Sequence, residues 1–250
     1  LNITIMTPNE NCKLEDIPLP MEASFMNMRR VSTPSRSFSH MLRQWFSSEQ
    51  PICEVRSNRM TTFDGVKYDV PTSTCFSVLA KDCYNSQRSK FAVLIKKHST
   101  STEKKTIKIV TPTTKLIIRP NGEKSLECEL NGEKKPCNEL REITEHNNHI
   151  VLSCRMYGKE YIRCELPEAG LRVYFDGFSA NVKVSPLYRS HVCGLCGQFD
   201  LDTDNEFTDS RRSLVSRRSM FESFLAENEN CEHEFPESET VLSFDDDRFN

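Results

Sequence analysis

Short apolar runs, each about five residues long, recur along the middle of the chain. Residues 106–110 alternate apolar and polar side chains, which is the period of a half-buried β-strand. Residues 91–95 are continuously apolar but no longer than a strand. Further strand-like runs cover residues 115–118, 125–128, 150–154, 161–164, 171–175 and 180–184. This pattern predicts eight or more short strands.

Turn residues separate these runs. Asn121-Gly122 and Asn131-Gly132 lie between apolar segments, and Asn-Gly suits the positive φ angles of tight hairpin turns. Strands joined by turns about every 8–12 residues are typical of antiparallel folds. The predicted fold class is therefore all-β, an antiparallel β sandwich or open barrel.

One short helix is predicted near the C-terminus. Thr208, Asp209 and Ser210 each offer a side-chain N-cap. The apolar residues that follow fall roughly on one helical face, and they are Leu214, Val215, Phe221, Phe224 and Leu225.

Composition divides the chain of 250 residues into three parts. Residues 1–50 lack Gly and any regular period, which predicts an irregular linker segment. Residues 51–232 hold the strand pattern and form the predicted domain. Residues 233–250 are predicted to be an acidic tail, since residues 219–247 contain ten acidic residues and no Lys or Arg.

The 11 cysteines indicate an oxidising compartment. A zinc site requires two close pairs, and only Cys193 and Cys196 are so spaced, which favours a disulfide framework. Ten cysteines lie between Cys53 and Cys231, while Cys12 stands apart. A secreted location is predicted, and Asn2 opens the only N-glycosylation sequon.

Charge and hydropathy narrow the classes of partner. The net charge is −3, from 33 basic and 36 acidic residues, and a nucleic-acid partner would require a net basic face. No apolar stretch approaches the roughly 18 residues of a membrane-spanning helix. The sequence therefore predicts neither a nucleic-acid partner nor a transmembrane segment.

An acidic loop follows the C-x-x-C pair. Its side-chain oxygens come from Gln198, Asp200, Asp202, Asp204, Asn205 and Glu206. Clustered carboxylates repel one another unless a cation joins them, and a flexible oxygen-rich loop suits calcium. The loop is not an EF-hand, because counting from Asp200 the sixth and twelfth places hold Asn205 and Arg211. A plain acidic surface loop without an ion remains an equal alternative on composition.

Motifs at both ends of the predicted domain resemble the von Willebrand factor type D domain. Cys193-Gly-Leu-Cys-Gly, continued by Gln-Phe-Asp-x-Asp-x-x-Asn-Glu-Phe, resembles the signature near its end. Thr62-Phe63-Asp64-Gly65, preceded by Cys53 and followed by further cysteines, resembles its start. The resemblance covers residues 51–232.

The resemblance implies one calcium site, formed by Asp64, Gln198, Asp200, Asp202, Asn205 and Glu206. Asp204 falls at a variable position and is a weaker candidate. The chain departs from the family at three places: Gln198 replaces Asn, Leu201 replaces Gly, and Asn205-Glu206 replaces an Asp pair. The resemblance also implies the disulfides Cys53–Cys196, Cys83–Cys193 and Cys75–Cys231. The remaining pairs would be local bridges, Cys128–Cys137 and Cys154–Cys164.

The flanking sequence looks most like the C-terminal region of an insect-type vitellogenin, a secreted yolk precursor. This implies a calcium-binding, disulfide-stabilised structural domain of a lipid-transport and nutrient-storage glycoprotein. Its partners would be other domains of a larger chain and an uptake receptor. The alternative is a type D assembly module of a mucin-like or other multimerising extracellular protein.

Two patterns could indicate an enzyme, but each is better explained by a structural role. Cys193 and Cys196 have redox spacing, but no βαβ pattern surrounds them, which favours structural disulfides. His146 and His149, after Glu145, have zinc-like spacing, but Asn147-Asn148 favours a polar turn. The chain is therefore predicted not to be an enzyme.

Overall fold

The computed structural model describes residues 3–6, 11–14, 51–83, 89–99, 102–145, 149–226 and 233–234. These ranges form nineteen strands and one α-helix, α1 (Arg217–Ser223). The strands are β1 (Ile3–Met6), β2 (Asn11–Leu14), β3 (Ile52–Arg56), β4 (Arg59–Thr61), β5 (Lys67–Asp69), β6 (Thr72–Ser73), β7 (Ser77–Asp82), β8 (Ala92–Lys97), β9 (Lys105–Val110), β10 (Lys115–Pro120), β11 (Leu126–Leu130), β12 (Glu133–Lys135), β13 (Ile143–Glu145), β14 (His149–Tyr157), β15 (Tyr161–Leu166), β16 (Leu171–Phe175), β17 (Ser179–Lys183), β18 (Val192–Cys193) and β19 (His233–Glu234).

Two antiparallel sheets dominate the fold, which confirms the all-β prediction. The seven-stranded sheet has the order β12-β11-β10-β9-β8-β7-β18, and the eight-stranded sheet has the order β13-β14-β15-β16-β17-β3-β4-β5. β1 pairs with β2, and β19 pairs with β6, in two small ribbons. Most neighbours in a sheet are consecutive in the chain, but β17 pairs with β3 and β7 with β18. These two pairings connect the beginning of the domain to its end.

Alternation along the strands builds one core between the two sheets. In β10, Leu116 and Ile118 are fully buried while Lys115 is exposed. In β16, Val173 and Phe175 are buried while Arg172 is exposed. The buried faces of both sheets contribute to a single hydrophobic cluster, which is the expected result of two-residue periodicity.

Four predicted disulfides are present in the described residues: Cys53–Cys196, Cys83–Cys193, Cys128–Cys137 and Cys154–Cys164. Cys75 is also disulfide-bonded, and its predicted partner Cys231 lies outside the described residues. Each member of the C-x-x-C pair is therefore bonded to a distant cysteine and not to the other member.

The short C-terminal helix is confirmed, but the predicted N-caps are wrong. Asp209 closes a turn instead, because its Oδ1 accepts hydrogen bonds from the backbone N–H groups of Arg211 at 2.8 Å and Ser213 at 2.9 Å. The helix begins later, after Ser216, whose Oγ accepts a hydrogen bond from the backbone N–H of Ser219 at 3.2 Å. Leu214, predicted to lie on the apolar face, precedes the helix and is 68% exposed.

The two flanking segments are described only in part. The predicted linker contains the β1–β2 hairpin, and the predicted tail contains β19. Asn2, His146 and most of the acidic tail lie outside the described residues. Within the described ranges, α1 is the sole α-helix, and it is much too short to cross a bilayer.

Candidate metal site

Two stretches that are far apart in sequence meet at the candidate site. The first is a tight turn after β4, closed by hydrogen bonds from the N–H of Thr62 to Val66 O at 2.9 Å and from the N–H of Gly65 to Thr62 O at 3.1 Å. The second is the loop that begins with the C-x-x-C motif. The N–H of Phe63 donates to Cys196 O at 3.0 Å, and the Cys53–Cys196 disulfide joins the same region.

Gly194 lets this loop lie directly against β7. A Cβ atom there would lie 2.3 Å from Leu79 O, and its φ of +136° is unfavourable for other residues. The following N–H groups, of Leu195 and Cys196, donate to Val78 O at 3.0 Å and Leu79 O at 2.9 Å. The glycine in the motif therefore serves close backbone packing.

Asp64 reaches from the turn into the acidic loop. Its Oδ2 accepts a hydrogen bond from the N–H of Asp200 at 3.0 Å, and its Oδ1 accepts one from the N–H of Leu201 at 3.1 Å. Burial raises the pKa of this half-buried carboxyl, while the two backbone hydrogen bonds oppose the shift and the Asp200 charge adds to it. Asp64 thus orients the start of the acidic loop.

The remaining acidic residues form a hydrogen-bonded series. Asp200 Oδ1 accepts from the N–H of Asp202 at 3.0 Å, and Asp202 Oδ1 accepts from the N–H of Asp204 at 3.1 Å. The Asn205 amide Nδ2 bridges Asp200 Oδ2 at 3.0 Å and Asp202 Oδ2 at 3.2 Å. An amide donor therefore lies between two carboxylates, at a place that would also suit a cation.

Glu206 is the most deeply buried carboxyl of the loop, with 2% of its surface exposed. Its Oε1 accepts a hydrogen bond from Thr62 Oγ1 at 2.8 Å, whereas its buried Oε2 accepts none from a described N–H or O–H group. The Glu206 carboxyl also lies within hydrogen-bonding reach of the Asp64 carboxyl, a contact that two carboxyl groups can make only when one of them holds a proton. Burial raises the pKa of Glu206 to about 8, and the Asp64 and Asp200 charges add to the shift. Asn205 Oδ1 is likewise buried without a partner in the described part of the chain.

The structure brings most predicted ligands together. Asp64, Asp200, Asp202 and Asn205 are linked by hydrogen bonds, and Glu206 lies within electrostatic reach of the first two. Gln198 instead turns its amide Nε2 toward Thr208 Oγ1 at 3.2 Å.

The donor set is chemically suited to a hard cation but is not converged in this conformation. In the described ranges, no group of three or more His, Cys, Asp or Glu side chains is arranged tightly enough to hold a metal. The two orphaned oxygens, on Asn205 and Glu206, are the observation that fits a cation, because a buried acceptor without a partner is costly.

Sequence reasoning missed two residues that support the loop. Thr62 holds the Glu206 carboxyl, and Arg189 donates from Nη2 to Asp200 O at 2.9 Å. Thr62 lies beside the Phe63-Asp64-Gly65 motif, so proximity to that motif could have indicated it. Arg189 carries no local signal, since its contact depends on the loop conformation.

Comparison with known protein families places both halves of the candidate site within one domain family. The family model of the von Willebrand factor type D domain matches residues 53–213, which include both halves of the site. The chain belongs to the von Willebrand factor type D domain family. This match begins and ends inside the predicted domain of residues 51–232.

Relatives similar to this chain include vitellogenins from nematodes and a fish. Vitellogenin-2 of Caenorhabditis elegans is 31% identical over 240 residues, which cover 94% of this chain and 13% of the relative. Vitellogenin-6 of Oscheius tipulae is 32% identical over 92% of this chain and 13% of the relative. The vitellogenin of Oncorhynchus mykiss is 27% identical over 92% of this chain and 14% of the relative. The chain thus spans about 13% of the length of the nematode vitellogenins it matches.

Proposed function

We propose that the loop binds one calcium ion through oxygens of Asp64, Gln198, Asp200, Asp202, Asn205 and Glu206. The observation that carries this proposal is the buried Oε2 of Glu206, which accepts no hydrogen bond from a described N–H or O–H group and belongs to a carboxyl that lies close to the Asp64 and Asp200 carboxyls. A divalent cation would partner that oxygen and remove the repulsion among the carboxylates. The Asn205 amide would have to turn so that its oxygen, and not its nitrogen, faces Asp200 and Asp202.

The ion would act as a structural cross-link and not as a catalyst. Asp64 lies in the turn between β4 and β5, near the beginning of the domain, whereas Asp200 and Glu206 follow the C-x-x-C motif. Two long-range disulfides, Cys53–Cys196 and Cys83–Cys193, connect the same two parts of the chain. A ligand that binds only the folded state adds its binding free energy to stability.

The wider function that we infer is that of a structural and interaction domain of a secreted, vitellogenin-like yolk precursor used for nutrient storage and lipid transport. Similarity to vitellogenins over more than nine-tenths of the chain supports this inference. Disulfide-rich domains persist in oxidising compartments, which supports secretion. The partners would be other domains of a longer parent chain and an uptake receptor, with no enzymatic activity in this domain.

Thermal unfolding with calcium and with chelator tests the metal site. Calcium at about 100 times its Kd should add about 2.7 kcal/mol to the free energy of unfolding, which corresponds to about 5–10 °C in Tm. Asp64→Asn and Glu206→Gln should each remove most of this shift. Asp204→Asn is the matched control, because it removes the same charge from the same loop at an exposed position outside the proposed ligand set. Equal Tm values for the wild type in calcium and in chelator would refute the site.

Locating the parent protein tests the wider function. Antibodies to this domain should detect a long secreted chain in maternal fluid and in egg yolk. Its absence from eggs would contradict the storage function but would leave the calcium result unaffected. Alkylation of the native domain tests the non-enzymatic assignment, since Cys193 and Cys196 should be unreactive as disulfides.

A further inference from the structure

The chain contains the same tetrapeptide in two neighbouring turns. Asn-Gly-Glu-Lys occupies residues 121–124, between β10 and β11, and occurs again at residues 131–134, where it starts the connection from β11 to β12. Every residue of both copies is exposed to solvent. Because the sequence from the asparagine onward and the exposure are matched, a difference in chemistry between the two turns has to come from the fold.

Asparagine followed by glycine is prone to spontaneous deamidation, because glycine has no Cβ to hinder its backbone nitrogen. That nitrogen loses its proton and attacks the asparagine Cγ, which closes a succinimide ring and releases ammonia. Water then opens the ring at either carbonyl and leaves aspartate or isoaspartate. The reaction consumes water and releases ammonia without any oxidant, and it requires an asparagine side chain that is free to rotate toward the next residue.

The second turn holds its asparagine against the neighbouring strand β10. The N–H of Asn131 donates to Lys115 O at 2.8 Å, and Asn131 Oδ1 accepts from the N–H of Lys115 at 2.7 Å. Asn131 and Gly132 have φ angles of 51° and 91°, as in the tight two-residue turns that join antiparallel strands. The Asn131 side chain must therefore release the Lys115 N–H before its Cγ can turn toward the Gly132 nitrogen.

The first turn places no such restraint on its asparagine side chain. It is a longer loop, residues 121–125, in which the N–H of Asn121 donates to Ser125 O at 2.8 Å. Asn121 is not among the residues with positive φ. Within the described ranges, no group forms a hydrogen bond with the side-chain amide of Asn121. This amide can therefore rotate toward the Gly122 nitrogen without breaking a contact.

Two side chains beside the first turn favour the ionised form of the attacking nitrogen. The Ser125 hydroxyl donates to Asn121 O, which is the carbonyl of the peptide group that contains the Gly122 nitrogen. Lys104 Nζ donates to Gly122 O at 2.6 Å, so an ammonium group lies next to the same residue. A hydrogen bond to the peptide group and a nearby positive charge both stabilise an anion. Each contact therefore makes removal of the Gly122 amide proton easier.

We propose that Asn121 is a site of spontaneous deamidation and isoaspartate formation in the folded domain, and that its hairpin protects Asn131 from the same reaction. The product adds one negative charge to the first loop, close to the Lys104 ammonium group, which attracts it. Isoaspartate also adds one methylene to the backbone. A loop of residues 121–125 can absorb this extra length, whereas a two-residue hairpin has a fixed geometry. The modification thus changes the charge of the loop and leaves the sheet intact.

The rate of each reaction depends on how often the asparagine is free to react. Opening two hydrogen bonds of ordinary net strength reduces the reactive population by about tenfold or more. We therefore expect Asn121 to deamidate at least about tenfold faster than Asn131 in the folded domain. In the unfolded chain both asparagines precede the same three residues, so their rates should be nearly equal.

Timed incubation of the disulfide-intact 250-residue chain at mildly alkaline pH, followed by reduction, alkylation and tryptic peptide mapping, tests the proposal. Trypsin separates the two sites into peptides 116–124 and 125–134, because it cuts after lysine and spares the Arg119–Pro120 bond. Chromatography and mass spectrometry resolve the aspartate and isoaspartate forms of each peptide. Peptide 116–124 should convert at least about tenfold faster than peptide 125–134 in the native chain. The two peptides should convert at nearly equal rates in the reduced chain in guanidinium chloride.

Variants of the neighbouring side chains test the cause of the difference. Ser125→Ala and Lys104→Gln should each slow the native reaction of Asn121 by about twofold or more, because each removes one hydrogen bond to the loop, and should leave the rate in guanidinium chloride unchanged. Ser125→Thr keeps the hydroxyl and should recover the wild-type rate. Lys159→Gln is the matched control for Lys104→Gln, because it removes an exposed lysine from a different turn and should have no effect.

Two results would overturn the proposal. Equal native rates for the two peptides, or faster conversion of peptide 125–134, would show that the hairpin gives Asn131 no protection. A rate difference that persists undiminished in guanidinium chloride would assign the effect to local sequence and not to the fold. Native rates of Asn121 that are unchanged in both Ser125→Ala and Lys104→Gln would refute the activating role of these two side chains.

Discussion

Leu201 occupies a backbone conformation that suits glycine. Its φ is +68°, and its side chain is 46% exposed, so its side chain gains little from burial. The left-handed conformation costs a non-glycine residue about 1–2 kcal/mol. The type D resemblance places glycine at this position, and the positive φ angle gives the physical reason for that preference.

Leu201→Gly should therefore stabilise the domain. Relief of strain exceeds the extra chain entropy of glycine, so we expect a gain of about 0.5–1 kcal/mol in the free energy of unfolding. Urea unfolding in chelator measures it. Leu214→Gly is the control, because Leu214 is also exposed but is not among the residues with positive φ, so glycine there should destabilise. A loss of stability in Leu201→Gly would contradict the strain.

Gly197 controls the position of the Glu206 carboxyl. A Cβ atom on Gly197 would lie 1.7 Å from Glu206 Oε2, so Gly197→Ala must displace that carboxyl. We expect a loss of more than about 2 kcal/mol and disappearance of the calcium-dependent Tm shift. Gly158→Ala is the control, because it has a similar positive φ but no atom within 4 Å. It should lose about 1–2 kcal/mol and keep the calcium shift.

At the scale of elements, disulfides of two lengths support the sheets. Cys154–Cys164 links directly paired residues of β14 and β15, which lie only 10 residues apart in sequence. Cys53–Cys196 links residues separated by 143 positions and fastens the candidate site. Both are buried, so replacement by alanine removes similar side-chain volume in each case.

The long-range bridge should contribute more to stability than the local one. In the chain-entropy model, closing a loop of this length contributes about 5 kcal/mol, against about 3 kcal/mol for a ten-residue loop. Denaturant unfolding of Cys53→Ala/Cys196→Ala and of Cys154→Ala/Cys164→Ala measures the difference. Equal losses of unfolding free energy in the two double variants would show that chain entropy does not dominate the contribution of these disulfides.

The elements themselves were largely predictable from the sequence. Strands such as β9 and β16 follow from local alternation, and Gly122 and Gly132 mark turns with positive φ, as expected. The helix start was not predictable, because Asp209 is as good an N-cap by type as Ser216. The Asp209 side chain instead accepts a hydrogen bond from the N–H of Ser213, and this contact depends on the path of the loop.

At the scale of the whole molecule, contacts between residues that are distant in sequence limit how much of the structure the sequence can predict. The proximity of Asp64 to Asp200 came from the family resemblance, since nothing local connects residues so far apart. Contacts between residues that lie directly opposite one another on neighbouring strands depend on strand register, which the sequence pattern does not fix. Arg56 opposite Arg59 lies within a short hairpin, but Arg172 opposite Lys183 required the β16–β17 register.

Burial of Glu206 should make the stability of the calcium-free domain depend on pH. Its pKa is raised to about 8 from an ordinary value of 4.5, so between these values the folded state binds a proton that the unfolded state has released. The stabilising contribution of the protonated group is therefore complete below pH 4.5 and is lost as pH rises toward 8. The expected slope is up to about 1.4 kcal/mol per pH unit.

Urea unfolding in chelator from pH 5 to pH 8 measures this dependence, with Glu206→Gln as the comparison. The variant keeps a polar side chain that can pair with Thr62 but cannot ionise, so subtracting its curve removes the contributions of other groups, including His98, whose pKa is lowered by burial. The free energy of unfolding of the wild type, measured relative to that of Glu206→Gln, should fall as pH rises. Calcium should flatten the wild-type curve, because a cation stabilises the ionised carboxylate. Parallel curves for the two proteins in chelator would mean that Glu206 is already ionised at neutral pH in the folded domain.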